Sequence, residues 1–490
     1  MRRALALSAF ATLAACSHEA LRAPDLPAVE QYTTSPVTRT AEADVPGGQA
    51  QAFVSGKDIP AQWWSLFRSP ALDRLVRDAL DGSPTLASAE AKLRQAQEDL
   101  SARTDATTLP KVDAKLTADR IDIPAGALGG PPLPLPSPLN LYLATVNVSY
   151  TLDLFGATRN ELASLRSAVD YQRYQLEAAR LMLAGNVVTT AIREASMRAQ
   201  VADLEAVIAL QSRQLAIAEQ METAGGASHA DVVSQRSELA RSRASLPDLQ
   251  KSLQQARHRL AVYTGRPPGA TDLPELALAE LQLPSELPLT LPSELARQRP
   301  DIRASEALLQ QAASKVGVAT ANLYPQITLS AQGGSLAGKV GDLFSGSNGF
   351  YFLSAGLTQP LFHGGELEAK RRSAVAAYDQ AAAAYRDAVL KGLQDVADTL
   401  RALESDANKL RERADAAAQA REYEKITSAR YSAGGVSQVA LLEAQRKLRS
   451  TRLDETQAVA DRYADSAALL QALGGGWWRD DEKAPASAAK

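Results

Sequence analysis

Two groups of residues have types and spacings that could carry ligand or catalytic chemistry. Gly333–Lys339 reads G-G-S-L-A-G-K, which has the glycines and the lysine of a phosphate-binding loop. The next residue is Val340, where such a loop needs Ser or Thr to hold Mg²⁺. His229 lies two positions before Asp231, but this pair alone does not define a catalytic group, and a histidine in a loop at the hairpin tip is the favoured interpretation. Neither group predicts an active site, so we expect a protein that is not an enzyme.

The residue best placed for covalent chemistry is Cys16, the only cysteine. It follows a short positive segment, Met1–Arg3, and an apolar run that ends Leu13–Ala14–Ala15. This pattern is typical of a secretory signal. It also resembles the bacterial lipoprotein signal, which is cut before a cysteine whose thiol is then acylated. We therefore expect a covalent lipid on Cys16 and no other cofactor, the alternative being an ordinary signal peptide with a chance cysteine. Ser17 implies, by the same resemblance, sorting to the outer membrane.

Composition excludes several classes of protein. Apolar residues make up 45% and charged residues 22% of the 490, which excludes a disordered chain. The 53 basic residues are balanced by 56 acidic ones, so we expect no nucleic-acid partner. One cysteine and four separated histidines exclude a disulfide framework and do not favour a metal site. No apolar stretch after Cys16 is long enough to predict a transmembrane helix.

The sequence contains an internal repeat. Motifs of the first half recur in the same order about 206 to 216 positions later, which predicts a tandem duplication. The matched pairs include Leu109–Pro110 with Tyr324–Pro325, Leu154–Phe155 with Leu361–Phe362, and Ala224–Gly226 with Ala433–Gly435. We expect five segments: a signal peptide (1–15), a lipid-anchored extended segment (16–70), two repeats (71–280 and 281–473) and a C-terminal tail (474–490).

Each repeat contains a pattern typical of very long helices. No proline occurs between Pro138 and Pro247 or between Pro360 and Pro485. A helix over about 365–432 would be about 100 Å long at 1.5 Å per residue, with a second helix returning over about 437–472. The first repeat predicts the same hairpin, returning over about 228–263. Apolar residues spaced alternately four and three apart predict a coiled-coil seam at Val389, Leu393, Val396, Leu400, Leu403, Ala407, Leu410, Ala414 and Ala417.

Four segments alternate apolar and polar residues and predict β-strands, at about 110–121, 141–153, 325–333 and 350–360. The Gly-rich segments 124–139 and 333–349 predict exposed loops. Alternation alone fits a soluble sheet equally well, but the secretory context favours a membrane barrel. Four strands cannot close a barrel, because open edges would leave unpaired backbone groups in lipid. If the strands span a membrane, several chains must pool them.

Together these motifs resemble the outer-membrane factor family, the TolC-like channels, in the lipoprotein branch that serves RND-type tripartite efflux pumps. The motifs that carry the resemblance are the lipoprotein signal, Trp63–Phe67, Leu72–Leu75, Asn322–Ile327, Gln359–Phe362, Tyr431–Gly435 and Leu441–Arg446. The resemblance implies a mainly α fold with membrane β: a homotrimer whose four strands per chain close a twelve-stranded barrel in the outer membrane. Long antiparallel helices would form a periplasmic tunnel, surrounded by a belt from 24–60, 265–297 and 474–490.

The same resemblance implies a gate where the helix hairpins turn, at the periplasmic tip of the tunnel. The positions that match the family are Glu443 and Arg446 as an acidic and basic pair, Val439 as an apolar constriction and Tyr431 at the turn. The family usually has Asp where this chain has Glu443. Asp231 in the other repeat is a further candidate. The alternative is a solvated helix face, since residues three apart share a face and often pair there.

The predicted function is therefore a passive outer-membrane channel of a tripartite efflux pump. Its implied partners are a periplasmic adaptor, an inner-membrane RND transporter and outer-membrane lipid, and its cargo would be drugs or other small toxic compounds. Two alternatives stay open: the channel of a type I protein secretion system, and a lipid-anchored coiled-coil envelope protein without a pore.

Overall fold

The computed structural model describes residues 21, 24–26, 29–122 and 138–478. The predicted signal peptide, Cys16, most of the predicted loop 124–139 and residues 479–490 of the predicted tail lie outside them. The chain divides into two compact units. The first unit contains Arg94–Tyr171 and Ser305–Arg386, and the second contains Leu26–Leu93, Gln172–Ala304 and Asp387–Lys490. Each unit combines segments of both predicted repeats, whose boundaries stay a prediction.

The secondary structure is mainly helical, as the sequence predicts. In chain order the elements are β1 (Ala52–Ser55), α1 (Pro70–Gly82), α2 (Pro84–Thr108), β2 (Lys111–Ile121), β3 (Leu139–Leu152), α3 (Ala157–Thr223), α4 (His229–Tyr263), β4 (Glu286–Leu289), α5 (Pro292–Gln298), α6 (Pro300–Ala321), β5 (Gln326–Ala337), β6 (Gly349–Thr358), α7 (Glu366–Ser432) and α8 (Gln438–Ala472). Both α3 and α7 have 67 residues, and both α4 and α8 have 35. No helix in the described ranges is both long and apolar enough to cross a membrane.

The first unit is built on a four-stranded antiparallel sheet in the order β2-β3-β5-β6. Val112 pairs with Val148, Tyr150 with Leu329, and Ala331 with Leu353. These pairs bring the apolar positions of all four strands onto one face, because side chains alternate between the faces of a strand. The other face is polar, and there the Ser330 and Ser354 hydroxyls lie 2.8 Å apart.

The predicted loop 333–349 is wrong at its beginning, because β5 continues to Ala337. Two adjacent glycines favour a loop in sequence, yet Gly333 pairs with Val146 and Gly334 with Thr145. A Cβ at Gly334 would lie 2.3 Å from the Ala144 carbonyl oxygen, so the close approach of β3 requires a glycine there. The phosphate-binding loop considered for Gly333–Lys339 is therefore not formed, since most of this segment is strand.

The helix ends of the first unit pack closely next to the sheet. A Cβ at Gly317 of α6 would lie 2.5 Å from the Asn160 side chain of α3, which shows how closely the two helices approach. Arg103 of α2 forms an ion pair with Glu161 of α3 at 2.5 Å. Asp153 accepts hydrogen bonds from the backbone N–H groups of residues 158 and 159, which lie in the first turn of α3.

The second unit contains the returning parts of the two long hairpins. The predicted coiled-coil seam is present: Val396, Leu403 and Leu410 of α7 are fully buried. They belong to a continuous apolar cluster with Val187 and Ile192 of α3. Burial of this repeating stripe is the main reason that helices of such length are stable, since helix propensity alone contributes little.

The described parts of the segments predicted to form a belt pack on the same cluster. β1 pairs in parallel with β4, which joins the segment 24–60 to the segment 265–297. Trp63 and Trp64 are buried in the apolar cluster, and the Trp477 indole N–H donates to the Gln298 carbonyl at 2.7 Å. Both tryptophan pairs thus act in packing.

A buried arginine fastens the N-terminal segment to α8. Arg462 is fully buried, and its guanidinium donates to the Thr40 hydroxyl at 2.9 Å and to the Gln49 carbonyl at 2.5 Å. Burial lowers the pKa of Arg462 to about 10, because a low-polarity surrounding disfavours the charged form. No feature of the sequence singles out this arginine.

Candidate functional site

The two hairpins turn with the same backbone hydrogen bonds. Gly225 and Gly434 have φ of +75° and +74°, a left-handed conformation that glycine adopts without strain. The next residues, Gly226 and Gly435, donate to the carbonyls of Met221 and Arg430 at 2.7 and 2.8 Å. The N–H of Gly434 donates to the Tyr431 carbonyl at 2.9 Å. This pattern is a Schellman motif, and it places half-buried Tyr431 in the last turn of α7.

The returning helices begin differently in the two hairpins. At the start of α4, Ser228 and Asp231 form a capping box, in which each side chain bonds the other residue's backbone N–H. At the start of α8, Ser437 caps the N–H of Ala440, and no acidic residue completes a box. The Asp231 carboxylate is therefore engaged within its own hairpin, where it also accepts from the Ser228 hydroxyl at 2.7 Å.

Three of the candidate gate residues lie on one exposed face of α8. Val439, Glu443 and Arg446 are all exposed, and their spacing of four and three places them in one row along the helix. Leu441 and Ala444, which lie on the other side of the helix, are buried, and so is Leu442 at the edge of the row. The exposed face formed by Val439, Glu443 and Arg446 is thus available to face a lumen or another copy of the chain, as a gate requires.

Arg446 pairs with a residue that the sequence did not indicate. Its Nε lies 3.8 Å from the carboxylate of Glu238 on α4, and Arg241 lies 3.7 Å from the same carboxylate. Glu238 is buried and so needs a nearby cation to hold its charge. Within the described chain Glu443 forms no ion pair with Arg446, although their spacing permits one. The stronger demand of the buried carboxylate accounts for the difference.

Arg446 is the first of three arginines, at 446, 449 and 452, that connect α8 to the first hairpin. We call them the arginine row. Arg449 donates to the buried Ser242 hydroxyl at 2.6 Å, and Arg452 forms an ion pair with Asp203 of α3 at 2.9 Å. The row repeats every three residues, so its members lie on neighbouring parts of one helix face. It joins the two hairpins of the chain just behind their turns.

Further from the turns, three carboxylates and one lysine of α7 and α8 form a charged group. Lys409 of α7 lies 2.9 Å from Asp461 and 3.9 Å from Asp406. Asp465 lies beside Asp406, and its buried Oδ2 has no hydrogen-bond partner among the described residues. Burial, together with the nearby Asp406 and Asp461 charges, raises the pKa of Asp465 to about 7. In the residues described, no group of His, Cys, Asp and Glu side chains could hold a metal ion.

Comparison with known proteins identifies the family. The sequence matches the family described as "Outer membrane efflux protein" over residues 75–266 and 291–475, which is more than half of the chain. The chain therefore belongs to the outer membrane efflux protein family, and it is an outer-membrane protein. The resemblance to the outer-membrane factors is confirmed. The family is one of efflux conduits and not of enzymes.

Curated relatives cover nearly the whole chain. It is 32% identical over 425 residues to "Pyoverdine export outer membrane protein OpmQ" of Pseudomonas aeruginosa, covering 86% of this chain and 88% of the relative. It is 27% identical over 460 residues to "Toluene efflux pump outer membrane protein TtgC" of Pseudomonas putida, covering 92% and 93%.

Solved structures of outer-membrane channels share the fold. The outer-membrane channel OprN aligns with a TM-score of 0.79 at 26% identity, over 94% of this chain and all of the channel. The open state of the Neisseria gonorrhoeae channel MtrE aligns with a TM-score of 0.78 at 25% identity, over 93% and 98%. The predicted combination of a helical barrel with a β part is confirmed by these likenesses.

Proposed function

We propose that three copies of this chain form a passive conduit through the outer membrane, the exit duct of a tripartite efflux pump. One observation carries the proposal: the four-stranded sheet has one apolar and one polar face, and its outer strands, β2 and β6, have no partner among the described residues. Pooling three such sheets would remove the open edges and turn the apolar faces to lipid. No step in this function requires catalysis.

The conduit needs a periplasmic adaptor and an inner-membrane transporter to supply cargo and energy. The relatives named as efflux pump outer membrane proteins support this assignment. In-cell crosslinking of a tagged chain, followed by mass spectrometry, tests it. Recovery of an adaptor with an RND transporter supports efflux of small molecules. Recovery of an ABC transporter with an exported protein would instead indicate a channel for protein secretion. Recovery of envelope structural proteins alone would contradict the proposed conduit.

The cargo class proposed is small toxic or exported organic compounds. Relatives are named for pyoverdine export, toluene efflux and antibiotic efflux, which are chemically unlike one another. This diversity fits a wide duct whose selectivity lies in the inner transporter. A deletion strain should become more sensitive to several unrelated compounds, and complementation by this chain should restore resistance to all of them together.

We also propose that Cys16 carries the acyl anchor of the mature chain. The support is its position after Leu13–Ala14–Ala15 and the absence of any other cysteine in the sequence. Metabolic labelling with an alkyne-tagged fatty acid tests this. The native chain should be labelled, and Cys16→Ser should lose the label. Labelling that persists in Cys16→Ser would contradict the proposal.

The candidate gate is proposed at the exposed row of Val439, Glu443 and Arg446, with Tyr431 at the adjacent turn. The double variant Glu443→Ala/Arg446→Ala should loosen the tip and admit a large antibiotic that the native chain excludes. A matched control is Asp387→Ala/Lys391→Ala, which removes an exposed pair on α7 remote in sequence from the turns. Unchanged susceptibility at equal expression, or an equal effect of the control, would contradict the gate.

A further inference from the structure

A cavity of about 550 Å³ lies within the second unit, and no residue of the candidate gate lines it. Its wall combines the segment before α1, the last turn of α1, the beginning of α2, part of α3 and the glycine segment that follows α8. Cavities of this size commonly hold a small organic molecule. The chemistry of the lining therefore indicates a class of ligand.

The tryptophans of the chain are concentrated at this cavity. Of the four in the sequence, three line it: Trp63, Trp64 and Trp477. The fourth, Trp478, contacts Trp477 with ring centroids 6.4 Å apart. The Trp63 and Trp64 ring centroids are 6.0 Å apart, and the ring planes meet at 77°. Indole rings set at such an angle can surround a cation, which is how aromatic cages bind quaternary ammonium groups.

The charged residues of the lining favour the same class of ligand. Three of them are carboxylates and one is a guanidinium. The guanidinium of Arg180 lies 2.8 Å from the Glu177 carboxylate and 3.3 Å from that of Glu90. Asp81, the third carboxylate, forms no ion pair among the described residues. It lies in the last turn of α1, where the helix dipole disfavours a negative charge, so its charge is available to a bound cation.

The lining also contains a hydrogen-bond donor without an acceptor. The indole N–H groups of Trp64 and Trp477 donate to the Asp73 carboxylate at 3.0 Å and to the Gln298 carbonyl at 2.7 Å. The indole N–H of Trp63 has no acceptor in the part of the chain that the structure describes, although this residue is only 1% exposed. A buried donor left unpaired lowers stability, and an oxygen atom on a ligand would satisfy it.

We propose that this cavity binds a free organic cation, in which an ammonium group and an acceptor oxygen are joined to an apolar part. The ammonium group would lie against the tryptophan rings near Asp81, and the oxygen would accept a hydrogen bond from the Trp63 indole N–H. Leu80 and Leu181 also line the cavity and suit the apolar part. The inference goes beyond the proposed conduit and does not rest on it.

Benzoylcholine is a suitable probe, because it carries a phenyl ring, an ester and a trimethylammonium group. Its neutral analogue, 3,3-dimethylbutyl benzoate, has the same shape with carbon in place of the charged nitrogen. Tryptophan fluorescence of the full-length chain in a maltoside detergent reports binding, because every tryptophan lies in or beside the cavity. We expect benzoylcholine to bind about tenfold more tightly than the neutral analogue and to raise the unfolding temperature.

The substitution Asp81→Asn tests the role of charge. It should weaken the binding of benzoylcholine about threefold, as expected for one exposed charge, and leave the binding of the neutral analogue unchanged. Asp44→Asn is the matched control, because Asp44 is exposed and does not line the cavity. An equal loss of binding in the two variants would show that benzoylcholine responds to overall charge, and it would overturn the site.

The substitution Trp63→Phe tests the hydrogen bond, because it removes the indole N–H and keeps an aromatic ring. It should weaken benzoylcholine but not 4-phenylbutyltrimethylammonium, which has the same ring and charge without the ester oxygens. Trp477→Phe is the control and should change the binding of both probes by the same factor, since its N–H already donates to Gln298. Equal weakening of both probes by Trp63→Phe would contradict the hydrogen bond.

The remaining outcomes concern the source of the ligand. Glycerophosphoethanolamine carries the ammonium group of a lipid headgroup together with its phosphate. The phosphate would lie near the carboxylates of the lining, so we expect no displacement of benzoylcholine at equal concentration. Displacement would assign the cavity to lipid and overturn a free cation as its ligand. Equal binding of benzoylcholine and its neutral analogue would overturn the cation site altogether, whether or not the chain forms a conduit.

Discussion

Glu238 changes how the individual residues of the candidate gate are understood. The sequence indicates Glu443 and Arg446 as a pair, whereas the structure joins Arg446 to a buried carboxylate about 200 positions earlier in the chain. Spacing within a helix predicts only local pairs, and nothing near Glu238 in sequence distinguishes it from other acidic residues. The arginine row had a weak signal, arginines every three residues on α8, but the sequence could not show that its partners lie in the other hairpin.

We predict that Glu238→Gln will loosen the hairpin tips as Arg446→Ala does. Both substitutions remove the same charge interaction, so the double variant should be no worse than the more severe single one. The measurement is the minimum inhibitory concentration of a large antibiotic, which should fall several-fold in each single variant. Glu443→Ala combined with Glu238→Gln is the control and should give additive effects. Additive effects for Glu238 with Arg446 would show that the pair does not act as a unit.

A second residue-scale prediction concerns the dependence of stability on pH. The pKa of Asp465 is raised to about 7, so the folded chain retains a proton that the unfolded chain loses near its usual carboxylate pKa. Stability should therefore decrease as the pH rises from about 4 to about 7, and then level off. Asp465→Asn removes this loss of stability at high pH, because the asparagine side chain carries no titrating proton.

Thermal unfolding of the Asp465→Asn protein at several pH values checks the prediction. Its melting temperature should be close to that of the native protein at pH 5 and clearly higher at pH 8. Asp398→Asn, a change on α7 outside this carboxylate group, serves as the control and should show no such trend. If the variant raised the melting temperature equally at pH 5 and at pH 8, the proton-linked explanation would be contradicted.

At the scale of elements, the sequence predicts most of the structure. The long hairpins are correct to within one or two residues, because proline-free heptads and glycine turns are strong local signals. The four strands begin and end within about four residues of their predicted bounds. The end of β5 was predicted too early because two adjacent glycines usually indicate a loop. Here Gly334 is needed instead because β3 approaches it closely within the sheet. The short strands β1 and β4 were not predicted, since each has only four residues and pairs with a distant segment.

The heptad seam of α7 gives a prediction at this scale. Leu403→Ala should destabilise the second unit by about 2–5 kcal/mol, because it leaves a cavity in a fully buried stripe. Leu390→Ala is the matched control, since Leu390 lies on the exposed side of the same helix. Chemical unfolding monitored by the loss of helical circular dichroism measures both. Similar losses for the two variants would contradict the assignment of the seam.

At the scale of the whole molecule, the internal repeat is the main organising feature. Each predicted repeat supplies a strand pair to one unit and most of a helix hairpin to the other, so each unit combines parts of both repeats. The family, the fold class and the outer-membrane location were predicted from the resemblance of the ordered motifs to the outer-membrane factors and to the lipoprotein signal.

The open edges at β2 and β6 have a genetic consequence. A chain in which one edge strand is disrupted still has the other edge strand intact. Such a chain can therefore join normal chains and inactivate the trimer that it enters. In cells making equal amounts of both kinds, only about one trimer in eight would contain normal chains alone, by random closure of a three-membered ring. We therefore expect alleles that disrupt the β2 edge to be dominant in merodiploids, whereas an early stop codon should be recessive. Drug susceptibility of the two merodiploid strains would distinguish these outcomes.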